Sequence, residues 1–478
     1  MYDVAIIGAG VIGCLIGREL SKYELKTVII EKENDVANGT TKANSAIIHA
    51  GYDSKYGTNK GRFNVEGNRM FDELCFKLDV PFKRIGSLVI AFEKEDMKTL
   101  KDLYENGQKV GVEGMEIIDG YKVLEMEPNL NPNILGALHA KSAGIIVPWE
   151  LAIGAAENAM DNGVELLLNN QVESIENNGT YYEINTNLET IKAKYVINCA
   201  GVYSDKICSM VEDCDFEIIP RRGQYYLLDK ECEGLVNRVI FQCPTKLGKG
   251  VLVAPTVDGN IIVGPDAEDI FNKDDISTTK DRLKFIEECA MKSCEKIPFH
   301  KTITMFAGLR AEPSTGDFII EESKKNKGFI NVAGIKSPGL SSAPAISVYV
   351  SKLLRDIIGS VKEKEDFNPM RKRVIRFMEL TDEEKSETIK KDNRYGRIIC
   401  RCESITEGEI VDCINRNAGA TTLNGVKRRT RPGAGRCQGG FCGPRVIEIL
   451  AREMGVDRKE ILKENIGSHI LTGHTKEL

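Results

Sequence analysis

Two cysteine pairs near the end of the chain carry its most specific spacing. Cys400 and Cys402 stand as C-x-C in "ICRCESI", and Cys437 and Cys442 as C-x4-C in "RCQGGFC", with thirty-four residues between the two pairs. Four thiolates are what a [2Fe–2S] cluster or a tetrahedral zinc ion takes. Zinc ribbons usually use C-x2-C pairs, so the unequal spacing weighs against zinc. Glycines around Cys437 and Cys442 let backbone N–H groups turn toward sulfur, and Arg431 and Arg436 add positive charge that could offset an anionic cluster. Cys413, in the helical stretch "GEIVDCINRN", reads as a buried thiol.

A second constellation opens the chain. In "VAIIGAGVIG", Gly8 permits a tight turn, Gly10 lets backbone approach a pyrophosphate, and Gly13 lets helix and strand pack closely. The next strand ends in Glu31, placed for ribose hydroxyls, so a dinucleotide binds here. Thr40, Thr41, Asn44 and Ser45 suit the phosphate and ring oxygens of such a ligand. His49 closes an apolar run before Ala50 and Gly51; an imidazole there either accepts an alcohol proton or orients the substrate. Arg310, in "MFAGLRAEP", suits bidentate grip of a phosphate or carboxylate; its plainer role is an ion pair with Glu312. Arg221 and Arg222 precede Gly223 and a strand, with one of them expected at the site.

The elements that must position these groups are of two kinds. The opening strand, glycine turn, helix and second strand predict a parallel sheet covered by helices. From about 81 to 140 and 217 to 300 the pattern changes to short strands such as "GSLVIAF" and "GQYYLLD". We read an α/β Rossmann-like nucleotide-binding domain (about 1–80, 141–216 and 301–360) interwoven with an α+β substrate domain. A helical connector over 361–397, a small helical cysteine module over 398–454 and a polar tail over 455–478 follow. The net charge of -6 argues against nucleic acid, and no apolar run is long enough for an integral membrane segment. The N-terminus has no secretory leader, and nine of the fourteen cysteines lie scattered before residue 300, as expected of reduced thiols in a cytoplasmic protein.

Further glycine turns after strands, "VINCAGVYSD" and "NVAGIKSPGLS", combine with the opening motif into a pattern that resembles the D-amino-acid-oxidase-like FAD oxidoreductases over about residues 1–355. The resemblance implies FAD, adds Val172 and Gly201 to its binding residues, and sets Gly334, Gly339 and Leu340 beside the flavin. It gives His49 and Arg310 catalytic and anchoring roles on a small anionic hydroxylated substrate. The cysteine module resembles the bacterioferritin-associated-ferredoxin-like [2Fe–2S] domain, which makes the four cysteines cluster ligands. Together the two resemble the catalytic subunits of bacterial anaerobic glycerol-3-phosphate dehydrogenases, with Lys427–Thr430 close to their "RRRT" and "CQG" recurring at Cys437. "GIKSPGLSSAPAI" and "NSAIIHAGYD" look more like the L-2-hydroxyglutarate oxidase branch. The implied activity is oxidation of sn-glycerol 3-phosphate to dihydroxyacetone phosphate, with L-2-hydroxyglutarate or another 2-hydroxy acid, an amine or imino acid, or a non-catalytic redox sensor as alternatives. An electron-accepting flavoprotein or subunit is the implied partner, and any membrane contact runs through it.

Overall fold

The computed structural model describes residues 1–244, 250–473 and 475. Tyr2–Ile7 runs parallel to both Thr27–Ile30 and Thr190–Asn198, and its last four residues are buried, as an apolar strand covered on both faces requires. Glu165–Leu167 and Phe329–Ala333 extend the parallel set, while Val172–Asn177, Tyr182–Thr186 and Ile319–Glu322 pair antiparallel at its margins, completing eight strands. Helices Val11–Leu20, Pro148–Asp161 and Gly339–Ile358 bury one face of this sheet in the largest apolar core.

A second sheet has nine strands. Its order runs Glu268–Asp269, Ile218–Leu228, Ile261–Gly264, Leu252–Pro255, Val239–Gln242, Ser87–Ala91, Gly136–Ala140, Met115–Asp119, and Thr302–Pro313 also pairs with Ile218–Leu228. Alternation sorts its residues. Leu88, Ile90 and Ile240 pack toward the helix Lys280–Ser293, whereas Val89, Phe241 and Tyr225 pack toward Ile47, Ala50 and Tyr52. That second face looks onto the His49 segment. A small sheet of Ile47–Ile48, Gly144–Ile146 and Phe82–Arg84 joins the two bodies.

The cysteine module is a two-stranded hairpin, Ile398–Cys400 with Ile405–Thr406, and three helices, Glu407–Asn415, Leu423–Thr430 and Gly443–Met454, around its own core.

Three segments depart from the sequence reading. Thr302–Pro313 was expected in the nucleotide-binding domain, but it pairs along its length with Ile218–Leu228, and the chain rejoins the first sheet only at Ile319. The connector is α-helical only over Asp382–Lys391, where Thr381 and Glu384 form a capping box, with short 3-10 turns at Phe377–Glu379 and Asn393–Gly396. Before it, Arg371 is buried against Glu157 and Arg376 reaches Asp79 and Glu150, so those apolar and basic residues serve a strap laid across the first domain. The tail also folds back: Asn34 donates to the Glu464 carbonyl and Asn38 to the Asn465 side chain at 3.0 Å.

Candidate active site and metal centre

The glycine positions converge on the carboxyl edge of the parallel strands, where open α/β sheets bind ligands. Gly8 follows Ile7 with φ +105°, and a Cβ there would fall 2.5 Å from the Cys199 carbonyl oxygen. A Cβ on Gly13 would fall 1.9 Å from the Gly8 oxygen, so both positions need glycine for close packing. Gly10 differs. It caps the helix Val11–Leu20 with no side-chain bond and no acidic residue in the first turn, and the space over it is bounded only by Thr41 Oγ1 at 3.4 Å. An open, uncapped helix start of this kind suits a pyrophosphate.

Thr41 Oγ1 accepts from the Val11 N–H at 3.0 Å, fixing that rim. Glu31 is buried, and its carboxylate accepts from the N–H groups of Ala9 (2.7 Å) and Glu33 (3.0 Å). Burial pushes the Glu31 carboxyl up, and those two donors oppose the rise. Asn170 donates to the Glu31 carbonyl at 2.9 Å, which sets buried Val172 beside the same edge. Gly201 opens the turn after Asn198 with φ +58°, and Gly334 follows Ala333 with φ +66°. Gly339 and Leu340 start the helix Gly339–Ile358, in which Pro344 has no N–H to give the Leu340 carbonyl.

His49 stands between the two bodies. Its N–H donates to Ser341 Oγ at 2.7 Å, and its carbonyl accepts from Asn68 Nδ2 at 2.9 Å. Its ring lies against Phe241, with centroids 5.7 Å apart and planes 27° apart. Cross-strand register puts Arg310 opposite Arg221, Gly308 opposite Gly223 and Phe306 opposite Tyr225, so all six share one face. That face meets the flavin-side segment closely. A Cβ on Gly308 would fall 1.9 Å from the Ala43 oxygen, Thr40 donates to the Leu309 carbonyl at 2.7 Å, and the Ser45 and Tyr225 hydroxyls share a bond at 3.2 Å.

Arg310 lies within strand Thr302–Pro313 rather than after it. It does not pair with Glu312, which is taken by Arg221 at 3.1 Å and by Lys336. Instead its Nη2 donates to the carbonyls of Asp266 (2.6 Å) and Arg222 (3.3 Å), and among the described residues its Nη1 donors have no partner. Arg222 is buried on the opposite face with Glu268 and Asp275, which leaves Arg221 as the member of the pair on the site's face. Sequence reasoning missed Tyr225, Phe241, Asn68 and Ser341. The alternation in "RRGQYYLL" carried a signal for Tyr225; the others depend on packing across the chain.

The four cysteines meet as two pairs. Cys402 and Cys437 have sulfurs 3.6 Å apart, and the Cys400 and Cys442 thiols act directly on each other. A tetrahedron with ~2.3 Å metal–sulfur bonds has an edge of about 3.7 Å. Among the described residues no group of three or more His, Cys, Asp or Glu side chains is already arranged around an ion. Backbone N–H groups of Glu403 and Gly433 point at the Cys400 sulfur, and those of Phe441 and Gly439 at Cys437. The Cys442 contact, then these donors, draw the Cys400 thiol down to about 6. Gly433 and Gly439 supply this at φ +92° and +89°. Such N–H groups aimed at sulfur stabilise thiolates and fit an anionic cluster. Cys413 is buried apart from them, its thiol donating to the Ile410 carbonyl at 3.1 Å.

Arg431 and Arg436 are not free to offset cluster charge. Arg431 binds Asp258 and Glu403, and Arg436 binds Asp229 and Glu231, so both pin the cysteine module to the substrate domain. "KRRT" forms a second clamp. Arg428 and Arg429 both reach buried Asp35, at 2.8 and 2.7 Å, in the loop that leads from Glu31 to Thr41.

Residues 3–353 match the DAO family of FAD dependent oxidoreductases, and residues 398–452 match the BFD-like [2Fe-2S] binding domain. The chain is 62% identical over 476 residues to a glycerol 3-phosphate dehydrogenase of Caloramator mitchellensis, covering 100% of this chain and 99% of that one. It is 35% identical over 376 residues to a glycerol 3-phosphate oxidase of Mycoplasma genitalium, covering 77% and 97%. Identity to the human mitochondrial L-2-hydroxyglutarate dehydrogenase is 33% over 291 residues, covering 57% and 62%. Among solved structures, the dithionite-reduced L-alpha-glycerophosphate oxidase of Mycoplasma pneumoniae with FAD bound superposes with a TM-score of 0.74 at 32% identity, covering 77% of this chain and 98% of that one.

Proposed function

The chain belongs to the DAO family of FAD-dependent oxidoreductases and carries a BFD-like [2Fe–2S] domain, and from that premise we propose that it oxidises sn-glycerol 3-phosphate to dihydroxyacetone phosphate and hands the electrons to a separate acceptor. The observation that carries this reading is the end-to-end match to the Caloramator dehydrogenase, cluster domain included. The Mycoplasma oxidase, in contrast, is 97% covered by about three quarters of this chain. An enzyme that delivers its electrons to oxygen needs no cluster.

FAD, when bound, supplies the hydride acceptor, and the cluster supplies a one-electron outlet. The chain's own groups do the rest. Gly8, Gly10, Gly13, Glu31, Thr41, Val172 and Gly201 hold the adenosine and pyrophosphate, and Thr40, Ser45, Gly334, Gly339 and Leu340 line the ring. Cys400, Cys402, Cys437 and Cys442 hold the cluster. His49, braced by Ser341, Asn68 and Phe241, takes the hydroxyl proton at its ring. Arg310 offers its Nη1 donors to the phosphate, with its other nitrogens already fixed on carbonyls. Tyr225, pushed up by burial and eased by Arg310, stays a neutral hydroxyl beside the anion. Among the described residues no helix is long and apolar enough to cross a membrane, and we place the enzyme in the cytoplasm, with membrane contact only through its acceptor.

The test is an anaerobic titration of the holoprotein, following flavin absorbance. Bleaching by sn-glycerol 3-phosphate and not by L-2-hydroxyglutarate is expected; bleaching only by the hydroxy acid, or by neither, overturns the substrate.

A further inference from the structure

The cysteine loops are covered on one flank and open on the other. On the covered flank, Glu403 meets Lys230, and Arg431 and Arg436 meet Asp258, Asp229 and Glu231 of the substrate domain. On the open flank Cys402 is exposed, and Phe441, next to Cys442, is 85% exposed between Gly440 and the thiol. A phenyl ring held this open directly beside a ligand cysteine, in a loop otherwise of glutamine and glycine, offers the kind of aromatic contact that anchors interfaces.

The charges around it are selective. The other arginines from Arg394 to Arg458 each hold a carboxylate. Arg401, between Cys400 and Cys402, and Arg445, three residues past Cys442, are both exposed, and among the described residues neither has an ion-pair partner. Among the nearest acids, Glu403 is committed to Lys230 and Arg431, Glu407 to Arg397 and Arg452, and Glu448 to Arg458. Two exposed arginines without an ion-pair partner therefore flank the cysteine ligands, one between Cys400 and Cys402 and one just past Cys442.

We propose that Arg401, Phe441 and Arg445 form the docking surface for the electron acceptor, and that this acceptor is a one-electron carrier protein with carboxylates around an apolar patch at its own redox centre. This deepens the reading above and rests on its electron outlet. Oxidising one alcohol to a ketone releases two electrons and two protons, so the carrier must dock twice, or two copies once each, per turnover. Short-lived contacts of this kind bury less than about 1,200 Å² and are steered by opposite charge. A second copy of this chain does not fit, because a two-fold contact would set the same arginines against each other.

The test uses the holoprotein reduced with dithionite rather than with substrate, so its result does not depend on which alcohol is oxidised. Acidic flavodoxin is the probe, basic cytochrome c the control, and binding is followed calorimetrically at two salt concentrations. Flavodoxin binding that weakens about tenfold or more in Arg401→Glu/Arg445→Glu, in Phe441→Ser, and on raising salt supports the assignment. No flavodoxin binding, binding unchanged in the variants, preference for cytochrome c, or a concentration-dependent dimer that the variants abolish would overturn it. Because Arg401 lies between two cysteines, cluster absorbance is checked first. If it is low, Arg445→Glu alone carries the test, with a severalfold loss expected.

Discussion

At the scale of single residues, His49 and Arg310 are separable by what each does to the reaction. His49→Ala leaves the glycine cradle and Glu31 untouched, so FAD content should stay at the wild-type level. Substrate-driven flavin reduction should slow by roughly 10²–10⁴-fold, the usual contribution of a placed proton acceptor. Stopped-flow reduction at saturating substrate checks this, and an unchanged rate removes His49 from the chemistry. Arg310→Met should act mainly on KM, raising it by about 10² or more through loss of a charge-assisted grip, while Arg310→Lys restores only part because an ammonium cannot bind two oxygens in one plane. Both positions could be picked out from residue type and neighbouring glycines. Their braces could not, since Ser341 lies 292 positions from His49 and nothing local marks it.

Glu150 makes a titration prediction at the same scale. Burial pushes its carboxyl up to about 7, against the pull of Arg376 and Arg371. A carboxyl whose folded-state pKa is raised favours the folded chain while protonated in it. That contribution is complete below the ordinary carboxylate pKa and is lost as pH rises through about 7. The span corresponds to about 3 kcal/mol. Glu150→Gln should therefore lose less stability than wild type between pH 5 and pH 8, measured by urea unfolding at each. Equal losses would mean that Glu150 is ionised across the whole range.

Among elements, the loop from Glu31 to Thr41 and the helix Leu423–Thr430 form a joint. Burial works to raise the Asp35 carboxyl, and the Arg429 and Arg428 guanidiniums overcome it and hold it below the usual carboxylate range. Asp35→Asn would leave Arg429 without its anion in a buried site, a loss of about 3–5 kcal/mol. The expected result is a cluster domain that melts before the flavin domain, seen as loss of cluster absorbance below the temperature at which flavin fluorescence rises. Coincident transitions in the variant would show that the joint does not hold the domains together. Here the sequence was informative about one partner only. "KRRT" stood out as a motif, but its carboxylate lies some 390 positions earlier in an ordinary loop. The same limit explains the extended strap and the Thr302–Pro313 strand. Local pattern proposes helix or strand, and the partner across the molecule decides which sheet, or none, takes it.

For the whole molecule, ion pairs join the candidate alcohol site's domains and the cysteine module into one body. The interleaving of the two sheets was legible because buried parallel strands and half-buried alternating strands differ in pattern, and the cysteine module was legible because its spacing is dense and local. How firmly the module is pinned was not legible: clamps at Asp35, Asp258, Asp229 and Glu231 all join residues far apart in sequence. The cluster should fill together with the flavin, and its share can be counted in electrons. Reductive titration of the holoprotein should consume about three electrons per chain, two for FAD and one for the cluster. Cys437→Ser removes one thiolate from the exposed pair, and its titration should end at about two while substrate still bleaches the flavin at the wild-type rate. A variant that loses flavin bleaching together with the third electron would mean that the cluster domain shapes the alcohol site itself. The contacts of Thr40 and Ser45 argue against that, because they run to the substrate sheet and not to the cysteine loops.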